Sequence, residues 1–331
     1  MTVAAESTWR QRAKKLAFAA IVVQLVGVAI FLGALAVGEN ARLTLLALYF
    51  PRQPVLVLAV VSALFSTVLP VARRRVLFPL QIALCLVLAF PVMGFELAGM
   101  SKKPRPKSAI ELASYNVYFG KLDRDGLLRE LDAMTADVIL LQATFDSMPG
   151  RVKERFPDRE VHHVDDLMII SRFPIAEVDV PPPLEDGRPA KYVGYTLTTP
   201  SGPLRVFNVH PFSPRHALFG DTSSGDNIAD RDAQAAAVVA AAERGGPPFV
   251  IMGDTNLPRP SAIARRHFGR LRDGFDEVGV GFGYTFPAKR PWMRIDRVFA
   301  GRGVRFVSVA TGPRGNSDHL PLFAEIELVR R

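Results

Sequence analysis

Gly253-Asp254-Thr255-Asn256 and Ser317-Asp318-His319, seven residues in two separate stretches, hold two carboxylates, an amide and an imidazole. Carboxylate oxygens are hard ligands suited to Mg²⁺, and an imidazole or carboxylate can move a proton. Three more stretches carry groups of the same kind, in the order Ser114-Tyr115-Asn116-Val117, Asn208-Val209-His210 and Arg294-Ile295-Asp296. Phosphoester hydrolysis demands charge neutralisation on the phosphoryl oxygens, an oriented water and a proton route to the leaving oxygen. Taken singly, each stretch also has a plain structural reading. Asp-x-Asn bends chains, Ser-Asp-His can start a loop or cap a helix, and Asn116 can be a satisfied amide at a strand end. The reactive reading rests on the set as a whole.

Such groups need strands that deliver them to one edge. From Ala109 onward the apolar pattern alternates between strand-like and helix-like segments. Ile110 to Val117, Val138 to Gln142, Leu167 to Ser171, Tyr192 to Thr198, Leu204 to Val209 and Phe249 to Met252 read as strands. So do Ile295 to Phe299, Val304 to Ala310 and Leu322 to Leu328. Asp125 to Thr135, with Leu127, Leu128 and Leu131 on one side, reads as an amphipathic helix. Asp230 to Glu243 and Ser261 to Phe268 complete the helical set, and Pro181-Pro182-Pro183 with Asp186-Gly187 marks a loop. Strands and helices in mixed order, without repeats, predict an α/β sandwich.

The N-terminal third has a different texture. Leu16 to Val37 is apolar apart from Gln24, and Val55 to Ala72 and Val76 to Leu97 are further apolar runs of about 18 to 22 residues. Each is long enough for a helix to cross a hydrocarbon layer of roughly 30 Å. Core helices are usually shorter and have a polar face, so these runs predict about three transmembrane helices. The expected organisation is a membrane anchor over 1–100, a basic Pro-containing linker over 101–107 and a single domain over 108–331. Arg10, Arg12, Lys14 and Lys15 before the first run, and Arg73, Arg74 and Arg75 before the third, mark the cytoplasmic side. Arg42, Arg52, Lys102, Lys103, Arg105 and Lys107 pull the other way. The expected protein is multi-pass in the cell membrane, with its C-terminal domain extracytoplasmic. Cleavage after Ala34-Leu35-Ala36 as a signal peptide would leave that domain on the same side.

The formal charge of +9 is misleading as a nucleic-acid signal. Residues 1–107 carry 13 Lys or Arg against 3 Asp or Glu, a balance of +10, whereas the remainder carries 28 against 29. A near-neutral C-terminal domain lacks the broad basic surface that phosphate-backbone binding needs. Cys85 is the only cysteine, so no disulfide forms within the chain. His162 and His163, adjacent on a strand, point to opposite faces and make poor joint ligands; His216 and His267 are expected at the surface.

The ordered fragments resemble the endonuclease/exonuclease/phosphatase (DNase I-like) superfamily in a membrane-anchored bacterial type. The resemblance covers 108–331. Ile170-Ser171-Arg172-Phe173-Pro174-Ile175, the Arg231 and Gln234 pair and Thr285-Phe286-Pro287 add to it. It implies two packed β-sheets flanked by helices, hydrolysing phosphoesters with Mg²⁺ or Mn²⁺. It implies metal ligation by Asn116 and Asp318, with Asp254 activating water and Asn256 contacting phosphate or water. His319, oriented by Asp296, is implied at the scissile phosphate, and His210 as a stabiliser of the pentavalent state. The strand Val138 to Gln142 then breaks the pattern, because Ala143 stands where the family normally places a metal-binding Glu. Asp146 is the nearest carboxylate that a loop could bring back.

These expectations converge on a membrane-anchored, metal-dependent phosphoesterase whose partners are the bilayer and a lipid-linked phosphate or pyrophosphate. Two other readings stand beside it. One is a membrane-anchored nuclease; the other is a phosphate-binding sensor whose turnover Ala143 has abolished.

Overall fold

The computed structural model describes residues 3–101, 104–219, 224–245 and 248–329. Lys102 and Lys103 of the expected linker lie outside the described residues, as does the side chain of His216. The chain begins with helix α1 (Val3–Val37), followed by α2 (Arg42–Tyr49), α3 (Gln53–Ser66) and α4 (Val71–Val87), which continues through a wider turn over Leu88–Val92. Two helical segments, Thr8–Val37 and Val71–Val92, are long and apolar enough to cross a membrane. A third crossing exists if α2 and α3, bent by 74° at their junction, form one broken span. This corrects the second expected run. Its helix stops at Ser66 and, with 14 residues, is about 21 Å long at 1.5 Å per residue. Pro70 disfavours helical backbone at Leu69, and a new helix starts at Val71. Val28, Ala59 and Leu88 pack α1, α3 and α4 together, and Gln81 donates to Gln24 at 2.8 Å.

The remainder contains twelve strands among the described residues. In order they are β1 (Ile110–Asn116), β2 (Val138–Gln142), β3 (Glu160–Val164), β4 (Leu167–Ser171), β5 (Ile175–Asp179), β6 (Tyr192–Thr199), β7 (Gly202–Val209) and β8 (Phe249–Asp254). After these come β9 (Arg272–Asp273), β10 (Asp296–Ala300), β11 (Val304–Thr311) and β12 (Leu322–Leu328). Between them run α5 (Arg124–Asp132), α6 (Met148–Arg155), α7 (Arg215–Phe219), α8 (Ser224–Glu243), α9 (Ala262–Phe268) and α10 (Gly274–Val278). Two six-stranded mixed sheets form, β11-β12-β1-β2-β4-β3 and β5-β6-β7-β8-β10-β9.

The central strands β2, β4 and β8 are apolar on both faces because each sheet is covered on both sides there. Leu112, Leu140 and Ile169 of one sheet meet Val206, Met252 and Val298 of the other in the central layer. The alternate residues Tyr115, Ile139 and Leu141 face outward onto Leu127, Leu128 and Leu131 of α5. On the opposite flank, Phe207, Ile251 and Phe299 meet Val238 of α8 and Ile263 and Phe268 of α9. Full burial of side chains of this size is worth about 1.5–3 kcal/mol each. The expected two-sheet α/β sandwich is therefore observed.

The N-terminal helices and the sandwich are in contact. Leu45 and Tyr49 of α2 pack on Ala217 and Leu218 of α7, and Arg42 donates to the Leu218 carbonyl at 2.9 Å. Glu39 accepts from Ser261 and, at 2.9 Å, from the Ala262 N–H at the start of α9. At the end of the third apolar run, Glu96 pairs with Gly281 through a β-bridge, and Tyr284 donates to the Met93 carbonyl at 3.3 Å.

Candidate active site and metal site

Strand register places the reactive groups. β7 and β8 run parallel with Val209 opposite Gly253, so His210 and Asp254 follow at adjacent strand ends. β10 runs antiparallel to β8 with Asp296 directly opposite Asp254. β1, in the other sheet, ends at Asn116, beside Gln142 of β2. Gly253 makes the β7–β8 approach possible, since a Cβ there would lie 2.3 Å from the Val209 carbonyl oxygen.

Asp254 is the hub, with a side chain almost wholly withdrawn from solvent. Its Oδ2 accepts from Asn116 Nδ2 at 2.8 Å, and its Oδ1 accepts from the Asn256 N–H at 2.9 Å. The same Oδ2 is 3.8 Å from His210 Nε2 and 3.7 Å from His319 Nε2. Each imidazole is held from behind by a second carboxylate. His319 Nδ1 lies 2.8 Å from Asp296 Oδ2, and His210 Nδ1 lies 2.5 Å from Asp166 Oδ2. Asp166 also receives Lys191 Nζ at 3.0 Å. Two carboxylate-backed histidines thus converge on one carboxylate, each presenting Nε2.

Burial and charge set the protonation states. Desolvation opposes the imidazolium of His319, but the Asp296 and Asp254 carboxylates outweigh it and push its pKa up to about 9. Burial raises Asp254, with the Asp296 charge adding to the rise and His319 opposing it. Asp318 is raised too, mainly by burial. Asp166 moves the other way: desolvation is overcome by His210 and Lys191, which hold its carboxyl well below the usual range.

The donor set fits a divalent cation. Carboxylate oxygens of Asp254 and Asp296 and a ring nitrogen of His319 lie within 4.8 Å of one another, the two carboxylates supplying oxygen donors. Asp318 Oδ1 and Asp296 Oδ1 are buried without a hydrogen-bond partner, an arrangement that costs free energy unless something else completes it. Ser317 ties the Asp318 loop to β1 by donating to the Asn116 carbonyl at 2.6 Å. The resulting donors are chiefly hard oxygens, which suit Mg²⁺ or Mn²⁺.

All seven singled-out residues, Asn116, His210, Asp254, Asn256, Asp296, Asp318 and His319, therefore meet in or against one region, and six of them line a cleft of about 580 Å³. Asp296 stands behind His319. Ala143 lines the same cleft, in a left-handed backbone conformation with φ 50°. Gln142 is directed away and hydrogen-bonds Ser114 and Asn208. Asp146 does not replace the missing carboxylate; it is exposed and lies outside the cleft lining. His162 stacks edge-on against Tyr195 while His163 meets Thr144 at 2.9 Å, so the two do diverge. His267 is not a free surface residue, because its Nε2 lies 2.9 Å from Asp232 in a half-buried pair.

Arg231 and Gln234 of α8 act on the loops around the cleft. Arg231 donates to the Asn256 carbonyl at 2.8 Å, and Gln234 holds the Phe212 N–H at 2.9 Å. The reading of the sequence missed several cleft residues, among them Asp166, Lys191 and Tyr49. The doublet Asp165-Asp166 in the β3–β4 turn was the available signal for the first. Tyr49 gives no signal, sitting in a short segment between apolar runs.

Two packed sheets with acid, amide and imidazole groups at their strand ends define a DNase I-like α/β sandwich. The family model described as Endonuclease/Exonuclease/phosphatase family matches residues 113–319, and the chain belongs to that family. Among solved structures, a D. rerio TDP2 complexed with single strand DNA product aligns at TM-score 0.52 and 18% identity, covering 66% of this chain and 99% of that one. An endonuclease/exonuclease/phosphatase family protein from Bacteroides thetaiotaomicron aligns at TM-score 0.54 and 16% identity, covering 68% and 99%. Identities this low establish the shared fold alone. No curated protein matches the sequence.

Proposed function

We propose that this protein is a membrane-anchored, divalent-metal-dependent phosphoesterase acting on a lipid-linked phosphate or pyrophosphate. The observation that carries the lipid reading is the composition of the cleft rim. Lys121, Lys191 and Arg215 supply cations suited to phosphate, while Phe119, Phe212 and Phe219 supply apolar surface. Phe219 is 79% and Phe119 41% exposed, so apolar surface lies open to solvent beside the cations of this rim. Tyr49, from the anchor, lines the same cleft.

The contacts of the anchor support the expected orientation. α3 and α4 form a hairpin whose two outer ends, near Arg52 and Met93, both lead to the sandwich. In this reading α3, joined to α2 at the 74° bend, crosses as well as α4, which returns the chain to its starting side, so the start of α2 and the C-terminal domain share a compartment. At the turn of the hairpin, Arg73 lies over the Phe18 ring at 4.2 Å, which gathers Arg73, Arg74 and Arg75 near Lys14 and Lys15. That end has the cationic character of a cytoplasmic face. The C-terminal domain accordingly belongs outside the cytoplasm.

In this reading Asn116 and Asp318 hold the cation, next to Asp254. When bound, such an ion neutralises phosphoryl charge and acidifies water. Asp254 orients the attacking water and accepts its proton, fixed in place by Asn116 and by the Asn256 N–H. His319, protonated at neutral pH, donates from Nε2 to a phosphoryl oxygen, and Asp296 keeps its ring aligned. His210, backed by Asp166, contacts the phosphate from the other side. Asn256 completes the wall.

The runner-up is a nuclease, a reading favoured by the single-stranded DNA in the TDP2 complex and opposed by the near-neutral charge of residues 108–331. A detergent-purified preparation with Mg²⁺ or Mn²⁺ should release phosphate from a prenyl phosphate or phospholipid phosphate and leave plasmid DNA intact. Plasmid digestion that disappears in Asp254→Ala, with no lipid phosphatase activity, would establish the nuclease instead. Thermal stabilisation by phosphate without any product would point to a sensor.

A further inference from the structure

We infer that the membrane anchor supplies a positioning residue to the reactive cleft: the Tyr49 hydroxyl, acting with Arg231, fixes Asn256 beside Asp254. The inference rests on the cleft being the reactive site.

Asn256 has φ 50°, in the left-handed region that residues with a Cβ seldom occupy. Asn tolerates that conformation better than most, yet something must hold it there. Its side-chain Nδ2 donates to the Pro211 carbonyl at 2.9 Å, and its backbone N–H is committed to Asp254. Its carbonyl accepts twice, from Tyr49 Oη at 2.6 Å and from Arg231 at 2.8 Å. Arg231 also donates to the Tyr49 oxygen, so the hydroxyl is oriented with its hydrogen toward Asn256. Arg231 is fully buried, and its Nε and second terminal nitrogen have no partner. Removing the Tyr49 oxygen would strip this cation of one of its few acceptors.

The chain separation is 207 residues, from a helix between membrane-spanning segments to the loop after β8. Docking of α2 through Leu45 onto Ala217 and Leu218 is what brings the hydroxyl within reach. The anchor is therefore part of the reaction centre as well as a tether. If α2 shifts in the bilayer, Asn256 and the Asp254 oxygen bonded to it shift with it.

Tyr49→Phe in the full-length, detergent-purified protein removes the hydroxyl while retaining the ring. With a prenyl phosphate and Mn²⁺, kcat should fall about ten-fold or more with KM little changed, as expected when a catalytic carboxylate loses its alignment. Inorganic phosphate with Mn²⁺ gives a second readout that needs no turnover. It should raise the melting temperature of the wild type more than that of the variant. A lower melting temperature with unchanged kcat, or an unchanged phosphate response in an enzyme that turns over nothing, overturns the positioning role. A wild type that stays inactive on every ester but shows the phosphate shift, diminished in Tyr49→Phe, sinks the proposed function and keeps this inference. A wild type answering to neither probe sinks both.

Discussion

Asp254 gathers its environment from four strand ends and two sheets, and its chemistry depends on groups that are themselves held in place. His319 and His210 present Nε2 toward it because Asp296 and Asp166 bind the opposite ring nitrogens. Asp166 is the more exposed to test, since it is not a candidate ligand. Its folded carboxyl titrates below its unfolded value, so the stability it contributes is present above about pH 4 and is lost as pH falls from there. Asp166→Asn should therefore flatten the acid limb of the stability curve in urea unfolding followed from pH 6 to pH 3; an unaltered limb would mean that the pair carries no linkage. The same change should lower kcat about 10²-fold by freeing His210. Asn116 and Asp254 were legible in the sequence because each ends an apolar strand, and Asp296 and His319 because they follow these in a characteristic order. Asp166 was not, because its role depends on a hairpin that aims it at His210, 44 residues away.

Among elements, the long β-strands and α5, α8 and α9 were readable from apolar periodicity and turn residues. β3 and β5 were not, since Glu160 to Val164 and Ile175 to Asp179 are half-exposed edge strands with little apolar alternation. The second apolar run misled by length, because composition alone does not reveal the break that Pro70 imposes. The most consequential element is α2, whose Leu45 and Leu48 are fully buried and whose Leu43, Leu46 and the following Phe50 are exposed. A helix with this division, joined at 74° to the apolar helix α3, has the character of one that lies along a bilayer surface while its inner face grips the sandwich. Leu45→Ala should cost about 2–5 kcal/mol and lower the melting temperature of the detergent-solubilised protein. Because α2 carries Tyr49, it should lower kcat as well. Full retention of both would show that the helix does not dock.

At the scale of the whole molecule, the cleft proposed to bind phosphate is lined in part by Tyr49 of α2, in the segment between two helices long and apolar enough to cross a membrane. Tethering raises the effective concentration of any substrate in the same bilayer, so catalysis need not rely on tight binding. Reporter fusions should place residue 70 in the cytoplasm and the C-terminus outside it; the opposite pattern would move the cleft to the cytoplasmic leaflet. Ala143 gives access to the central claim. It is 2% exposed in the cleft wall and already occupies a left-handed backbone, so a longer side chain adds a carboxylate without new strain at its Cβ. The decisive measurement is phosphate release from a prenyl phosphate under Mg²⁺ titration, for wild type, Ala143→Glu and Asp254→Ala side by side. The predicted result is metal-dependent release by wild type, half-maximal at about ten-fold lower Mg²⁺ in Ala143→Glu, and a loss of about 10³-fold or more in Asp254→Ala. Release that is indifferent to Mg²⁺ and to Asp254, or no release from either wild type or Ala143→Glu, would contradict the account.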